Sequence, residues 1–224
     1  PVPLPAAFDA TITELAMGDA EVEQTLSRLA ADLIGFQNQK LARRYLEFVR
    51  EVEDHERAVA PSSRRLTLAV AVGLHKLLAY KDEYEVARLL LDEDGNAPVR
   101  ELTQRGDKVA WRLHPPTLRA LGRSSKISLS TRWRPMIRVL AGGKRLRGTW
   151  LDPFGKNKVR RTERKLPEEY KAAIRGALSS VTAQTLDRAV ELAELPDFVR
   201  GYEHIKLANV AEFRRRLEMA TSAG

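Results

Sequence analysis

The sequence predicts a mainly α, helical bundle-like domain with a small β element in its basic middle third. Three observations carry that expectation. Apolar residues recur at spacings of three and four over residues 22–52 and again over 66–84, as helices with one buried face require. Alternation of apolar and polar residues marks residues 108–114 and 126–130. The 224 residues, 43% hydrophobic and 30% charged, are enough for a real core.

The elements follow in order. The chain opens Pro1-Val2-Pro3-Leu4-Pro5, which reads as a stiff Pro-rich tether behind a longer polypeptide, or as a trimmed start. Residues 1–18 are accordingly expected to be a linker or tail, and 19–221 one α-rich domain. Asp19 is placed to cap a helix, with Glu21 and Glu23 in its first turn. That helix runs toward Pro61, with a break near Gly35. A second helix starts at Ser62-Ser63 and continues to about residue 91, with Leu66, Val70, Leu74, Leu77, Lys81 and Tyr84 on one stripe; its apolar breadth predicts a central position. Asp92-Glu93-Asp94-Gly95-Asn96 closes it as a solvated turn, because the glycine and late glutamate of a calcium loop are out of register. The alternating stretches at 108–114 and 126–130 form the β element, within an insertion of about 98–158. A short helix over 135–140 ends at Gly142-Gly143, and 144–158 is an ordered loop. Helices over about 159–179, 183–195 (capped by Thr182) and 204–221 complete the chain, punctuated by Pro196 and Gly201.

Composition narrows the function classes. Cysteine is absent, which removes disulfides, thiolate nucleophiles and iron–sulfur ligation by this chain. His55, His75, His114 and His204 are scattered and lack ligand-like spacing. The longest apolar run, residues 68–74, is too short to span a bilayer. These features fit a cytoplasmic setting. Charge is uneven: residues 100–165 hold 19 Lys/Arg against 4 Asp/Glu, while residues 1–60 hold 6 against 11. The basic block can attract an anionic partner in a salt-dependent way.

Three dense words hold the candidate chemistry. Tyr80-Lys81-Asp82-Glu83-Tyr84-Glu85-Val86-Ala87-Arg88 would put Tyr80, Tyr84 and Arg88 on one helix face, with Lys81 beside Glu85. Such a face binds a partner or an anion, or is an ordinary half-buried surface. Arg145-Leu146-Arg147-Gly148-Thr149-Trp150-Leu151-Asp152-Pro153-Phe154-Gly155 combines forked cations with aromatics; it suits phosphate, carboxylate or bases, or else plugs the core with its aromatics and turns its cations to water. Gly142-Gly143-Lys144 lacks the full spacing of a phosphate-binding loop. Asp197, Arg200, Glu203, His204 and Lys206 surround Gly201-Tyr202, where His204 is either a base without a nucleophile or part of a helix-junction hydrogen-bond cluster.

Taken together, these words resemble the C-terminal domain of the fused indolepyruvate ferredoxin oxidoreductase family. The resemblance runs from about Leu29 to Ala211. It also draws on Phe36-Gln37-Asn38, Ala42-Arg43-Arg44-Tyr45, Leu113-His114-Pro115-Pro116, and Arg200-Gly201 followed by His204-Ile205-Lys206. Residues 117–134 are shorter and more basic than the family pattern, and Gly142-Gly143 replaces a more helical stretch. The resemblance implies a non-catalytic accessory domain of a thiamine-dependent 2-oxoacid oxidoreductase, which packs on or helps assemble catalytic domains of the same polypeptide in a homo-oligomer, with ferredoxin as a further partner. It implies thiamine diphosphate, Mg, 4Fe-4S clusters and coenzyme A for the full enzyme, none of them held by this segment. The expected interface or anion contacts are Tyr80, Lys81, Asp82, Tyr84, Arg88, Arg145, Arg147, Asp152, Phe154, Arg200, His204 and Lys206. Among these, Arg145, Arg147, Arg200 and Lys206 would meet a coenzyme A phosphate or an acidic patch. The alternative is a basic nucleic-acid-binding module using Trp111, Trp133 and Trp150.

Overall fold

The first helix forms where the sequence predicts a tail. Ala6–Ala16 is helical (α1) and buries Phe8, Ile12, Leu15 and Ala16. Three prolines within the first five residues obscure that apolar spacing, but Pro5 stands at the N-cap, where a missing N–H costs nothing. The computed structural model describes residues 3–92, 110–113, 127–130, 133–155, 158–199 and 203–222. The described chain is mainly helical and divides into two compact units, Pro1–Tyr80 with Arg161–Gly224, and Lys81–Arg160.

In the first unit, α2 (Ala20–Phe36) begins where the Asp19 carboxylate accepts the Glu21 and Val22 N–H groups at 3.0 and 3.1 Å. The break before α3 (Gln39–Val59) falls at residues 37–38 rather than at Gly35, because Asn38 accepts the Leu41 N–H at 2.9 Å and starts a new helix. The next helix, α4 (Arg65–Leu78), has no side-chain cap of its own. The fully buried Glu56 of α3 supplies one, accepting Leu66 N–H at 3.0 Å and Thr67 N–H at 2.8 Å, along with the Ser63 and Thr67 hydroxyls.

As its apolar breadth predicts, α4 is central. It packs against α2, α3, α8 (Leu166–Leu178), α9 (Leu186–Glu194) and the 3₁₀ turn Leu195–Phe198. Gly73 allows this: a Cβ there would stand 2.6 Å from the Ala193 carbonyl and 2.8 Å from the Tyr170 hydroxyl. Tyr45 and Tyr170 donate to the Ala71 and Ala193 carbonyls at 3.1 and 2.7 Å, and burial pushes both phenols up. One apolar core therefore gathers side chains from Phe8 to Leu77 and from Leu166 to Leu217.

The last stretches differ from the sequence reading in their joints. The span expected at 159–179 is interrupted at residues 164–165, between α7 (Lys158–Glu163) and α8, with Pro167 in the first turn of α8. Thr185, rather than Thr182, precedes α9, and the two threonines hydrogen-bond to each other. The last helix, α10 (Glu203–Ser222), contributes Val210, Phe213 and Leu217 to the core.

The second unit comprises α5 (Glu83–Leu91), strands β1 (Ala110–Leu113) and β2 (Ile127–Ser130), α6 (Arg134–Gly142) and the turns that follow it. The strands pair antiparallel with Trp111 opposite Leu129. The unit starts at Lys81, well before the insertion expected near residue 98. The reason is a second helix break: α4 stops at Leu78, and Asp82 caps a separate α5 by accepting the Glu85 N–H at 2.8 Å. Lys81 thus precedes the helix rather than sharing the α4 stripe. Residues 93–96 of the acidic run lie outside the described residues.

Candidate functional site

The first and second words meet inside the second unit. Asp82 is buried at the start of α5. Beyond capping, its carboxylate receives the Arg147 guanidinium through two bonds, Nε to Oδ2 at 2.5 Å and Nη2 to Oδ1 at 2.7 Å. The Asp82 and Arg147 side chains are 4% and 3% exposed, so the pair is desolvated and held in the forked geometry that arginine favours. Tyr84, the second residue of α5, donates its hydroxyl to Asp152 Oδ1 at 3.2 Å. Its ring lies 5.6 Å from the Arg147 guanidinium carbon and meets Phe154 edge-on at 5.2 Å. Burial and the Asp152 charge push the Tyr84 phenol up, which keeps it a proton donor.

Asp152 organises the turn that carries these groups. Its carboxylate accepts Gly148 N–H at 3.0 Å and Phe154 N–H at 3.1 Å. Gly148 has φ 77°, a left-handed conformation that favours glycine. Gly143 leaves room for the Tyr84 ring, whose Cε1 would be 2.7 Å from a Cβ there. Two further pairs complete the arrangement. Glu85 holds Arg88 through bonds of 2.9 and 2.6 Å, and Arg160 reaches Glu83 at 3.2 Å. Burial raises the Glu83 carboxyl above its ordinary range despite that partner.

The structure therefore brings together Asp82, Tyr84, Arg147, Asp152 and Phe154, and it spends their polar groups on one another. Arg88 is turned to Glu85, and Lys81 and Arg145 are exposed. The reading in which aromatics plug the core and cations face water is reversed at two positions: Arg147 is buried and Trp150 is 84% exposed. Tyr80 precedes α5 and lies against Phe36 in the first unit, with ring centroids 5.6 Å apart, so it does not share a helix face with Tyr84. Lys206, on α10, donates to the buried Glu163 carboxylate. His204 is on α10, with its side chain outside the described set, and Arg200 lies outside the described residues.

Sequence reasoning set Glu85 beside Lys81, whereas it pairs with Arg88, and it missed Glu83 and Arg160 as partners. The one available signal was Asp82 followed three residues later by Glu85, the spacing of a capping box.

Among the described residues the donor set does not fit the cofactors that the resemblance implies for the full enzyme. The chain has no thiolate to ligate a cluster. The buried carboxylates Asp82 and Asp152 are occupied by Arg147, the Tyr84 hydroxyl and backbone N–H groups rather than open to a magnesium diphosphate. Among the described residues no group of three or more His, Asp or Glu side chains is placed to hold a metal ion, and no helix is long and apolar enough to cross a membrane.

A protein family described as a family of unknown function (DUF6537) matches residues 22–219. No curated protein and no solved structure matches the chain. With the match covering nearly its whole length, the chain belongs to the DUF6537 family.

Proposed function

We propose that this DUF6537 chain is a non-catalytic accessory domain that packs on, or helps assemble, the catalytic domains of an indolepyruvate-type 2-oxoacid:ferredoxin oxidoreductase in the cytoplasm. One observation carries the non-catalytic part. The residues with the most chemical potential, Asp82, Tyr84, Arg147 and Asp152, are buried and satisfy each other. A reacting group has to be presented to a substrate; these four fix the turn 147–155 onto α5. The link to an oxidoreductase rests on the resemblance of the three words. The thiamine, magnesium, cluster and coenzyme A chemistry belongs to the partner domains, and ferredoxin would be met there. On this reading the second unit, with β1 and β2, is an insertion borne by the helical domain.

The test is assembly. The thiamine- and cluster-binding domains, expressed without residues 22–219, are mixed with this chain and followed by analytical ultracentrifugation and cofactor content. The expected result is a stable complex whose cofactors all reside on the other component. Failure to associate, or cofactor retained by this chain, overturns the proposal. The nucleic-acid alternative draws on a single feature, the exposed Trp133 and Trp150 in a unit with 18 Lys/Arg against 9 Asp/Glu.

A further inference from the structure

Among the described residues of the second unit, the exposed large apolar side chains other than Leu89 fall within residues 133–151. Trp133, Met136, Val139, Leu146, Trp150 and Leu151 are all exposed. α6 shows how this arises. Ile137 turns inward at 2% exposure, whereas Met136 and Val139, three residues apart and so on one face, are 49% and 77% exposed. Scattered single hydrophobes on a surface need no explanation, but a concentration within one short segment does.

The same segment holds five Lys/Arg and no Asp or Glu. Arg147 is committed to Asp82, while Arg138 and Arg145 are exposed. Lys144 lies on the 3₁₀ turn Gly143–Leu146 directly after α6. Burial and the Arg88, Arg147 and Arg145 guanidiniums push its ammonium down, against the opposing pull of Glu85. A carboxylate rim on a partner complements the exposed Arg138 and Arg145.

We infer that the exposed face of α6, with the Lys144–Arg145 turn, is a docking surface for a protein partner that has an apolar centre and a carboxylate rim. Charge alone would call for any polyanion. The aliphatic groups decide between the classes: a protein partner buries Met136 and Val139, and Trp, Met and Arg are the residues that interfaces favour. A nucleic acid would use the tryptophans and leave the aliphatic side chains in water. The inference deepens the accessory role by locating its contact surface.

The experiment uses the full chain and a labelled synthetic amphipathic helix, with leucines on one face and glutamates elsewhere, read by fluorescence anisotropy. The expected result is salt-sensitive binding that weakens about tenfold or more in Val139→Asp and in the double variant Arg138→Glu/Arg145→Glu. A Gln-for-Glu version of the helix binds less well. Because the substituted groups are exposed, circular dichroism and the unfolding midpoint stay unchanged. No detectable binding, or binding indifferent to Val139→Asp, overturns the inference. So does tighter binding of oligo-dT than of the helix, which assigns the surface to nucleic acid. Self-association that Val139→Asp abolishes, measured by light scattering, also overturns it, because the occupant is then a second copy. Catalytic-domain assembly that survives Val139→Asp refutes this surface and leaves the accessory role standing. Helix binding as expected without any such assembly does the reverse.

Discussion

Replacing Arg147 by Met should destabilise the second unit by about 3–4 kcal/mol. The substitution removes both short bonds to Asp82 and leaves a carboxylate that is 4% exposed with the Glu85 N–H as its remaining bond within this cluster. Breaking a buried pair by removing one partner typically costs about 3–5 kcal/mol. The surviving cap bond, at 2.8 Å, argues for the lower end of that range. Loss of the cation–ring contact to Tyr84, at 5.6 Å, adds a smaller amount, about 0.5–1 kcal/mol. The double variant Asp82→Asn/Arg147→Met should recover much of the loss. It keeps an acceptor for the Glu85 N–H and removes the stranded charge, so a mutant cycle should show coupling of about 2 kcal/mol. In urea, with slopes of about 1–3 kcal/mol/M, the unfolding midpoint of Arg147→Met, followed by circular dichroism, should fall by about 1 M or more. A shift under about 0.2 M, or strict additivity in the cycle, would refute the claim that this pair holds the two words together.

Other expectations concern the first unit. Glu56→Ala strands the Leu66 and Thr67 N–H groups in a fully buried site and should cost about 3 kcal/mol, measured by urea unfolding followed by circular dichroism. Gly73→Ala should destabilise by about 1–3 kcal/mol, because its Cβ would meet a backbone carbonyl at 2.6 Å. Gly176→Ala, with nothing within 4 Å, should be neutral or stabilising by up to about 1 kcal/mol in the same assay. Arg175 holds the Glu51 carboxyl below its ordinary 4.5 through a bidentate bond of 2.7 and 2.8 Å. The unfolded chain therefore binds that proton first; the contribution is complete above 4.5 and is lost as pH falls through the lower folded value. Arg175→Met should accordingly flatten the acid limb of stability, seen by comparing urea midpoints at about pH 6 and about pH 3.

The helices were legible wherever local signals agreed. Asp19 with its early glutamates gave α2 its start, and the breadth of the apolar stripe gave α4 its central place. The joints were harder to see because they depend on what a polar side chain bonds to. Asn38 and Asp82 could each be read as polar positions inside a longer helix; only their bonds to Leu41 and Glu85 N–H show that each begins a new one. Helix α1 was hidden by the surrounding prolines. At the site, the residue types pointed to the right words, but their role turned on a pairing across 65 positions, Asp82 with Arg147, which no spacing rule supplies. The sequence left Trp150 between stacking surface and core plug for the same reason: its aromatic neighbour Phe154 packs on Tyr84 while Trp150 is exposed, and nothing in the sequence distinguishes the two rings.

The most direct measurement of the central claim is turnover by the purified chain. It is supplied with indolepyruvate, coenzyme A, thiamine diphosphate, magnesium and methyl viologen, and dye reduction is followed anaerobically. A chain whose reactive side chains are locked to one another, and which has no thiolate to carry a cluster, should give no substrate-dependent reduction above the protein-free rate. Reduction that depends on both the 2-oxoacid and this protein, and persists in chain purified free of any partner, would contradict the account.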